Sequence, residues 1–203
     1  MSKVKICGLS RVEDIVAVNG VLPDYIGFVF APSRRRVDMN TAAILKEALN
    51  PQIEAVGVFV NEDIGVVGGA YQSGIIDVVQ LHGDEDDAYI RRLKDRCGCP
   101  VIKAVGVGDV MPSLPLEADY LLFDTLSAEQ RGGLGRAFDW NILHNYCGLP
   151  YFLAGGLTTN NVVDSIRLLR PFCVDVSSGV ETDGIKDAEK IGVFIDLLRR
   201  SRK

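Results

Sequence analysis

The sequence lacks the features that mark membrane, secreted and nucleic-acid-binding proteins. None of its apolar runs reaches the roughly 18 residues of a membrane-spanning helix, and its first residues lack the long apolar region of a signal peptide. Its basic residues form no long block, and the formal net charge is −5. We therefore expect a cytoplasmic protein that binds neither membranes nor nucleic acids.

Cysteine is scarce as well, with five residues that follow no regular framework. An odd count without a targeting segment favours reduced thiols. Cys97 and Cys99 are too close together for a Cys-x-x-Cys redox pair, and no second pair completes a zinc site. We interpret these two cysteines as structural or incidental.

The residues that are present suit one globular domain spanning residues 1–203. Hydrophobic residues make up 47 % of the chain and charged residues 24 %, which are ordinary values for a folded core. A length of 203 residues is close to the lower end, about 200 residues, of (β/α)8 barrels.

Eight short apolar runs recur along the chain, each followed by a turn signal. They are apolar throughout rather than alternating, as is typical of parallel strands that are covered on their outer face. The predicted strands are residues 4–7, 25–30, 55–60, 77–81, 101–105, 120–123, 151–154 and 173–176.

Helix signals lie between most of these runs. The candidate N-terminal caps are Ser10 with Glu13 as a capping box, Asp38, Asp84, and Thr158 or Thr159. The prolines at 112 and 115 predict an irregular connection between strands 5 and 6. Eight strands alternating with helices predict a closed (β/α)8 barrel. A doubly wound open sheet is the alternative, because periodicity does not show closure.

Catalytic groups of such a barrel lie at the C-terminal ends of its strands. Strand 7 is followed by Gly155 and Gly156, and strand 8 by Ser177, Ser178 and Gly179. Glycines let backbone N–H groups approach an anion, and loops after strands 7 and 8 commonly hold a phosphate in this fold. The plainer interpretation is two tight turns made of small residues.

Two further strand ends carry groups that can move a proton. Cys7 ends strand 1 and can act as a base when ionised, while Asp124 follows strand 6 and can act as an acid. A buried small side chain and a turn cap are the alternatives. One of the arginines at 34–36 could bind a carboxylate. For His82 the two interpretations are a contact with the substrate and a structural hydrogen bond. These residues alone indicate a phosphate-handling barrel isomerase or lyase.

Several stretches, in order from residue 5 to residue 181, together resemble phosphoribosylanthranilate isomerases. They are KICGL at 5–9, GFVF at 27–30, SRRRV at 33–37, GVFVN at 57–61, QLHG at 80–83, IKAV at 102–105, FDT at 123–125, GGLG at 132–135, FDW at 138–140, LAGGL at 153–157 and DVSSGVE at 175–181. The opening cysteine motif and the closing DVSSGVE motif are the most specific. Leu134 departs from the family, in which a small or hydroxyl residue is common there.

The resemblance implies a TIM barrel and a reaction of tryptophan biosynthesis. The family opens the ribose ring of N-(5-phosphoribosyl)anthranilate and shifts a proton in an Amadori rearrangement, which yields 1-(2-carboxyphenylamino)-1-deoxyribulose 5-phosphate. The nitrogen of the substrate stabilises the open imine, so we expect neither a metal nor a cofactor. The expected partner is a phosphorylated small molecule, and both a monomer and a homodimer remain open.

The resemblance also assigns roles to residues. It implies that Cys7 is the general base at C2, that Asp124 is the general acid at the ring oxygen, and that Arg35 holds the anthranilate carboxylate. We expect a raised pKa for Asp124, with this group on the alkaline limb of a bell-shaped pH–rate profile. The remaining predicted substrate contacts are His82, Gly155, Gly156, Asp175, Ser177, Ser178 and Gly179.

Three alternative functions follow from the same residues. The histidine-pathway sugar isomerase runs the same rearrangement but typically pairs two aspartates and binds a phosphate at each end of its substrate. An enzyme that accepts both substrates is harder to exclude. A catalytically silent barrel that binds a phosphorylated ligand or a partner is the third, and the presence of Cys7 with Asp124 argues against it.

Overall fold

The computed structural model describes residues 2–125 and 138–201, in which eight parallel strands close into a barrel. Each strand pairs with the next in chain order, and β8 pairs with β1 from Lys3↔Cys173 to Ile6↔Val176. The strands are β1 (Lys3–Cys7), β2 (Tyr25–Val29), β3 (Glu54–Phe59), β4 (Val78–Leu81), β5 (Val101–Val107), β6 (Tyr120–Thr125), β7 (Tyr151–Leu153) and β8 (Cys173–Val176). The closed (β/α)8 barrel is confirmed, and the open sheet is wrong.

The predicted strands all exist, with shifted ends. β5 and β6 each extend two residues beyond the predicted end, because their C-terminal parts pair with each other from Gly106↔Asp124 to Val107↔Thr125. Asp124 is therefore held within a strand rather than in the loop that follows it. A short hairpin, β9 (Glu181–Thr182) and β10 (Ile185–Lys186), follows β8 and was not predicted.

Six α-helices cover the barrel in the described part of the chain. They are α1 (Val12–Val21), α2 (Met39–Ala48), α3 (Ile64–Gln72), α4 (Asp87–Cys97), α5 (Val162–Leu169) and α6 (Ala188–Arg200). Helix α3 was not predicted from the sequence, because glycines at 65, 68 and 69 lower its helix propensity. Residues 108–119 contain no helix, as the prolines predicted.

The predicted helix caps are correct at α2 and displaced elsewhere. Asp38 accepts a hydrogen bond from the Thr41 N–H. At α1 the capping box is wrong by one residue, since Asp14 rather than Glu13 accepts from the backbone N–H groups of Ser10 and Arg11.

The caps of α4 and α5 also lie further along the chain than predicted. Asp84 exchanges hydrogen bonds with Asn61, and Asp86 caps α4 by accepting from the Tyr89 N–H. Thr158 begins a turn that leads into α5, and the helix itself starts at Val162. In both cases the predicted residue has a role in the preceding loop.

The barrel interior changes from apolar to charged along its axis. The N-terminal parts of seven strands each supply one member of an apolar layer, and the rings of Tyr25 and Phe152 lie 5.5 Å apart within it. Further toward the C-terminal ends, Lys5, Lys103 and Asp175 are buried. Larger apolar residues of the helices pack against the outer face of the strands. The charged layer therefore lies directly beneath the strand ends.

One sequence observation lies outside the described residues, namely the GGLG stretch at 132–135 with Leu134. Among the residues that are described, none of the helices has the length and apolar character needed to cross a membrane.

Candidate active site

The predicted site residues come together at one end of the barrel. Cys7 is the last residue of β1, Asp124 is the second-to-last residue of β6, and His82 directly follows β4. The glycines at 155–156 follow β7, and residues 177–179 follow β8. Because all eight strands are parallel, these positions share one rim.

Cys7 lies above a buried ion pair. Side chains two residues apart on a strand face the same side, so Lys5 lies below Cys7 inside the barrel. The Nζ of Lys5 donates to Oδ2 of Asp175 at 2.8 Å, and its charge also acts on the Cys7 side chain. The neighbouring strand leaves room for the thiol, because a Cβ on Gly27 would lie 2.7 Å from Sγ.

The surroundings of the thiol act on its ionisation in both directions. Burial raises the pKa of Cys7, and the cations of Lys5 and Lys186 oppose that rise. The carboxylate of Asp175 adds to the rise, although its own ion pair with Lys5 offsets much of its charge. Burial also lowers the pKa of Lys5, but Asp175 and Cys7 outweigh it, so that the lysine remains charged. Cys7 is therefore not a preformed thiolate, but the cations of Lys5 and Lys186 beside it favour the ionised form.

Asp175, a predicted substrate contact, lies just beneath the rim. Its side chain is buried and bound to Lys5, while its second oxygen, Oδ1, has no hydrogen-bond partner in the described part of the protein. The structure thus gives Asp175 at least one role that the sequence did not suggest, which is to neutralise a buried lysine.

Asp124 has the raised pKa that a general acid requires. Burial raises the pKa of Asp124 to about 6, and the charge of Asp175 adds to the effect. The Thr125 N–H, which donates to Oδ1 at 2.7 Å, and the charge of Lys5 oppose it. The prediction of a raised pKa is confirmed.

His82 lies next to Asp124. Its Nε2 is 3.6 Å from Oδ2 of Asp124, and its Nδ1 is 3.0 Å from Nε2 of Gln80. The ring of His82 thus has one nitrogen beside the Gln80 amide and the other facing the carboxyl group of Asp124. Both interpretations offered for His82 therefore have support in its contacts.

Arg35 differs from the two arginines beside it. Arg34 and Arg36 are exposed, whereas Arg35 is half-buried and packs over the end of β1. A Cβ on Gly8 would lie 2.4 Å from Cδ of Arg35, so only glycine permits this close approach. The Arg35 guanidinium forks onto the carboxylate of Glu181, a residue that sequence reasoning had not placed in the site.

The two predicted phosphate loops contact each other. Gly155 and Gly156 both adopt the left-handed conformation, with φ of 80° and 71°. A Cβ on Gly179 would lie 2.0 Å from the backbone oxygen of Leu157, so the loop after β8 packs directly on the loop after β7. Ser177 donates to the backbone oxygen of Cys7, and Ser178 is exposed at the rim. Small residues are thus required here for packing.

Three residues of the site escaped the sequence analysis, namely Lys5, Glu181 and Lys186. The position of Lys5 two residues before Cys7 on a strand was a usable signal, because it predicts a shared face. Glu181 and Lys186 are brought to the rim by the β9–β10 hairpin, in which they pair directly. No local pattern predicts that pairing.

Within residues 2–125 and 138–201, no group of three or more His, Cys, Asp or Glu side chains is arranged to hold a metal ion. The five cysteines are free thiols, with Cys99 and Cys173 buried and Cys147 exposed.

Comparison with known proteins points to one family. The sequence model of the family described as N-(5'-phosphoribosyl)anthranilate (PRA) isomerase matches residues 4–197. The N-(5'-phosphoribosyl)anthranilate isomerase of Endomicrobium trichonymphae is 49 % identical over 199 residues, which cover 98 % of this chain and 99 % of the relative.

Solved structures agree with the sequence comparison. Phosphoribosyl anthranilate isomerase from Thermotoga maritima superimposes with a TM-score of 0.85 at 35 % identity, covering 98 % of this chain and 100 % of the other. A phosphoribosyl anthranilate isomerase in complex with reduced 1-(o-carboxyphenylamino)-1-deoxyribulose 5-phosphate superimposes with a TM-score of 0.83 at 34 % identity, with the same coverage. The similarity therefore extends over both whole chains.

Proposed function

Since this chain belongs to the N-(5'-phosphoribosyl)anthranilate isomerase family, and is therefore an isomerase of tryptophan biosynthesis, we propose that Cys7 and Asp124 divide its proton transfers between them. Asp124 protonates the ring oxygen of N-(5-phosphoribosyl)anthranilate as the C1–O bond breaks and the nitrogen lone pair forms the open iminium ion. Cys7 then removes the C2 proton, and the electrons of that C–H bond neutralise the iminium nitrogen. The resulting enolamine tautomerises to 1-(2-carboxyphenylamino)-1-deoxyribulose 5-phosphate.

One observation carries the assignment of the acid. With a pKa of about 6, Asp124 holds a proton in roughly a tenth of molecules near pH 7, whereas an ordinary aspartate would be almost fully ionised. A bound phosphate would add negative charge at the rim and favour the protonated form further. The base and the acid also share the Lys5–Asp175 pair as a common neighbour, which supports a site in which their proton affinities are coupled.

The substrate needs two anion anchors. Arg35 is the anchor for the anthranilate carboxylate in this proposal, supported by its half-buried position over the end of β1, beside Cys7. The contacting loops at 155–157 and 177–179 are the anchor for the phosphate, supported by their glycine backbone and by the fold's usual phosphate site. His82 lies near enough to Asp124 to contact the sugar between them.

The same proposal covers the setting of the enzyme. We take a phosphorylated small molecule as its ligand, residues 1–203 as one barrel domain and the cytoplasm as its compartment. A measurement of the molecular mass in solution distinguishes a monomer from a homodimer.

Turnover of N-(5-phosphoribosyl)anthranilate, followed by the fluorescence change of the anthranilate group, tests the proposal. Asp124→Asn keeps the shape and most hydrogen bonds of the carboxyl group but cannot deliver a proton. We expect a loss in kcat on the order of 10²–10⁴. The matched control is Asp164→Asn, on the exposed face of α5, which should leave kcat unchanged.

The outcome of this experiment separates the possible roles of Asp124. A wild-type rate for Asp124→Asn would place the acid elsewhere, and an increase in KM alone would make Asp124 a substrate anchor. The same assay with the aminoaldose phosphate of the histidine pathway distinguishes a single-substrate enzyme from one that accepts both.

A further inference from the structure

Glu181 accepts hydrogen bonds from three cationic side chains at the rim of the barrel. Arg35 donates through Nε to Oε1 at 2.7 Å and through Nη2 to Oε2 at 2.9 Å. Arg34 donates to Oε2 at 2.8 Å, and Lys186 donates to Oε1. The Glu181 side chain is only 4 % exposed, so these contacts take place largely away from water.

The contacts of Glu181 are unequal in strength. The Arg34 side chain is 59 % exposed, and its ion pair is weakened by solvent. Arg35 is 20 % exposed and Lys186 is 2 % exposed, so their pairs are well shielded. Burial raises the pKa of Glu181, but hydrogen bonds from Arg35 and Lys186 outweigh it and hold the pKa below its usual value, so the carboxylate is ionised at neutral pH.

The hairpin that carries Glu181 is anchored to the rest of the site. Lys186, which faces Glu181 across the β9–β10 pair, also donates to the backbone oxygen of Ser177 in the loop after β8. The turn uses Asp183 and Gly184, both with positive φ, and Gly184 lies against the guanidinium of Arg34. Glu181 is therefore a fixed point, and Arg35 is oriented against it.

The stereochemistry of the guanidinium leaves a second binding edge. Glu181 occupies the edge formed by Nε and Nη2 of Arg35. The other edge, formed by Nη1 and the second hydrogen of Nη2, has the same spacing and matches another carboxylate bidentately. Within the cluster, three cations face one carboxylate, which leaves positive charge in excess for an incoming anion.

We propose that Glu181 is a positioning residue for substrate recognition: by holding one edge of Arg35, it presents the other edge to the anthranilate carboxylate. This inference rests on the proposed role of Arg35 as the carboxylate anchor. It makes recognition of the anthranilate group depend on a residue that does not touch the substrate.

A comparison of two ligands measures how much recognition of the carboxylate by Arg35 depends on Glu181. The first ligand is reduced 1-(o-carboxyphenylamino)-1-deoxyribulose 5-phosphate, and the second is the same compound without the carboxyl group. Wild-type protein should bind the first more tightly. In Glu181→Gln the ratio of the two inhibition constants should fall on the order of tenfold. The amide of the glutamine is uncharged, and its NH2 group cannot accept a hydrogen bond from the Arg35 guanidinium, so the fork is lost. KM should rise more than kcat falls.

Two further variants control this measurement. Glu189→Gln, an exposed glutamate in the first turn of α6, should retain the wild-type ratio. Glu181→Asp keeps the charge but is too short for the fork, so it should lose part of the ratio, and it replaces Glu181→Gln if that variant does not fold.

Three outcomes overturn one proposal or the other. Equal weakening of both ligands in Glu181→Gln or Glu181→Asp would make Glu181 a structural pin, and tighter binding of the carboxylated ligand would make it a competitor of the substrate. Either result refutes this inference while Arg35→Met still abolishes the ratio. If Arg35→Met leaves the ratio unchanged, the anchor assigned to Arg35 is itself wrong.

Discussion

Cys7 and Asp124, the two groups to which we assign the proton transfers, lie at the same rim in different electrostatic surroundings. Cys7 has cations on two sides, Lys5 below and Lys186 from the hairpin, which limit the rise in pKa that burial causes. At Asp124, burial raises the pKa and the hydrogen bond from the Thr125 N–H lowers it. Burial has the larger effect, so the pKa rises to about 6. In the proposed mechanism, the thiol that ionises thus has two cations beside it, and the acid that stays protonated is desolvated.

The Lys5–Asp175 pair acts on both groups with opposite results. At Cys7 the lysine has the larger effect and favours the charged thiolate. At Asp124 the carboxylate of Asp175 has the larger effect and favours the neutral acid. One buried ion pair therefore brings the two proton affinities closer together, which increases the fraction of molecules with the base ionised and the acid protonated.

The largest expected effect removes one side of this comparison. Cys7→Ser keeps the size of the side chain, but a hydroxyl is a far weaker acid than a thiol and no cation nearby can ionise it near neutral pH. We expect kcat to fall on the order of 10²–10⁴ with an unchanged fold by circular dichroism. Cys147→Ser, at an exposed thiol, is the matched control. Near wild-type turnover of Cys7→Ser would eliminate Cys7 as the base.

The next largest effect neutralises the shared pair. Lys5→Gln combined with Asp175→Asn keeps a hydrogen-bonded pair without charge, whereas either change alone would leave a buried charge unpaired at about 3–5 kcal/mol. The pKa of Cys7 should rise and that of Asp124 should fall. The bell-shaped profile of kcat/KM against pH should widen, and its plateau should drop about tenfold for one unit of added separation.

The order of the two pKa values reverses the limbs that the sequence analysis expected for the pH–rate profile. The sequence predicted Asp124 on the alkaline limb, but its pKa of about 6 lies below the raised pKa of Cys7, so Asp124 titrates on the acid limb and the thiol on the alkaline limb. The reactive form is the minor arrangement of the single shared proton. A profile that narrows in the double variant would contradict the comparison drawn between the two groups.

The smallest effect concerns stability. The pKa of Asp124 is higher in the folded protein, about 6, than its ordinary value of 3.8, so folding favours the protonated form. This stabilisation is complete below pH 3.8 and is lost as the pH rises through 6. Asp124→Asn, which never ionises, should therefore be more stable than wild type at pH 7 by about 3 kcal/mol.

Thermal unfolding at two pH values checks that sign. The stability difference should close near pH 3.5, where wild-type Asp124 is protonated, and Asp164→Asn, at an exposed carboxylate, is the control. A difference that is independent of pH would mean that burial does not penalise the Asp124 carboxylate.

The sequence predicted the barrel because its signals were repeated and local. Eight uniformly apolar runs with turn signals are difficult to arrange otherwise, and catalytic groups of this fold lie at strand ends, which selected Cys7 and Asp124. Helix caps were less predictable. At Asp84 and Glu13 the residue with the right local spacing lost its expected partner to a neighbour, since several acidic residues compete for the same N–H groups.

What the sequence determined by itself is therefore the number of strands, their order and the chemical groups available at each strand end, all of which depend on neighbours within a few residues. Tertiary structure alone decided which charges meet. Lys5 and Asp175 are 170 residues apart and pair only because β8 closes the barrel against β1. Arg35 and Glu181 are 146 residues apart and meet only because a hairpin returns to the rim. Proton affinity and orientation depend on burial and on such distant partners, and both arise only when the chain is packed.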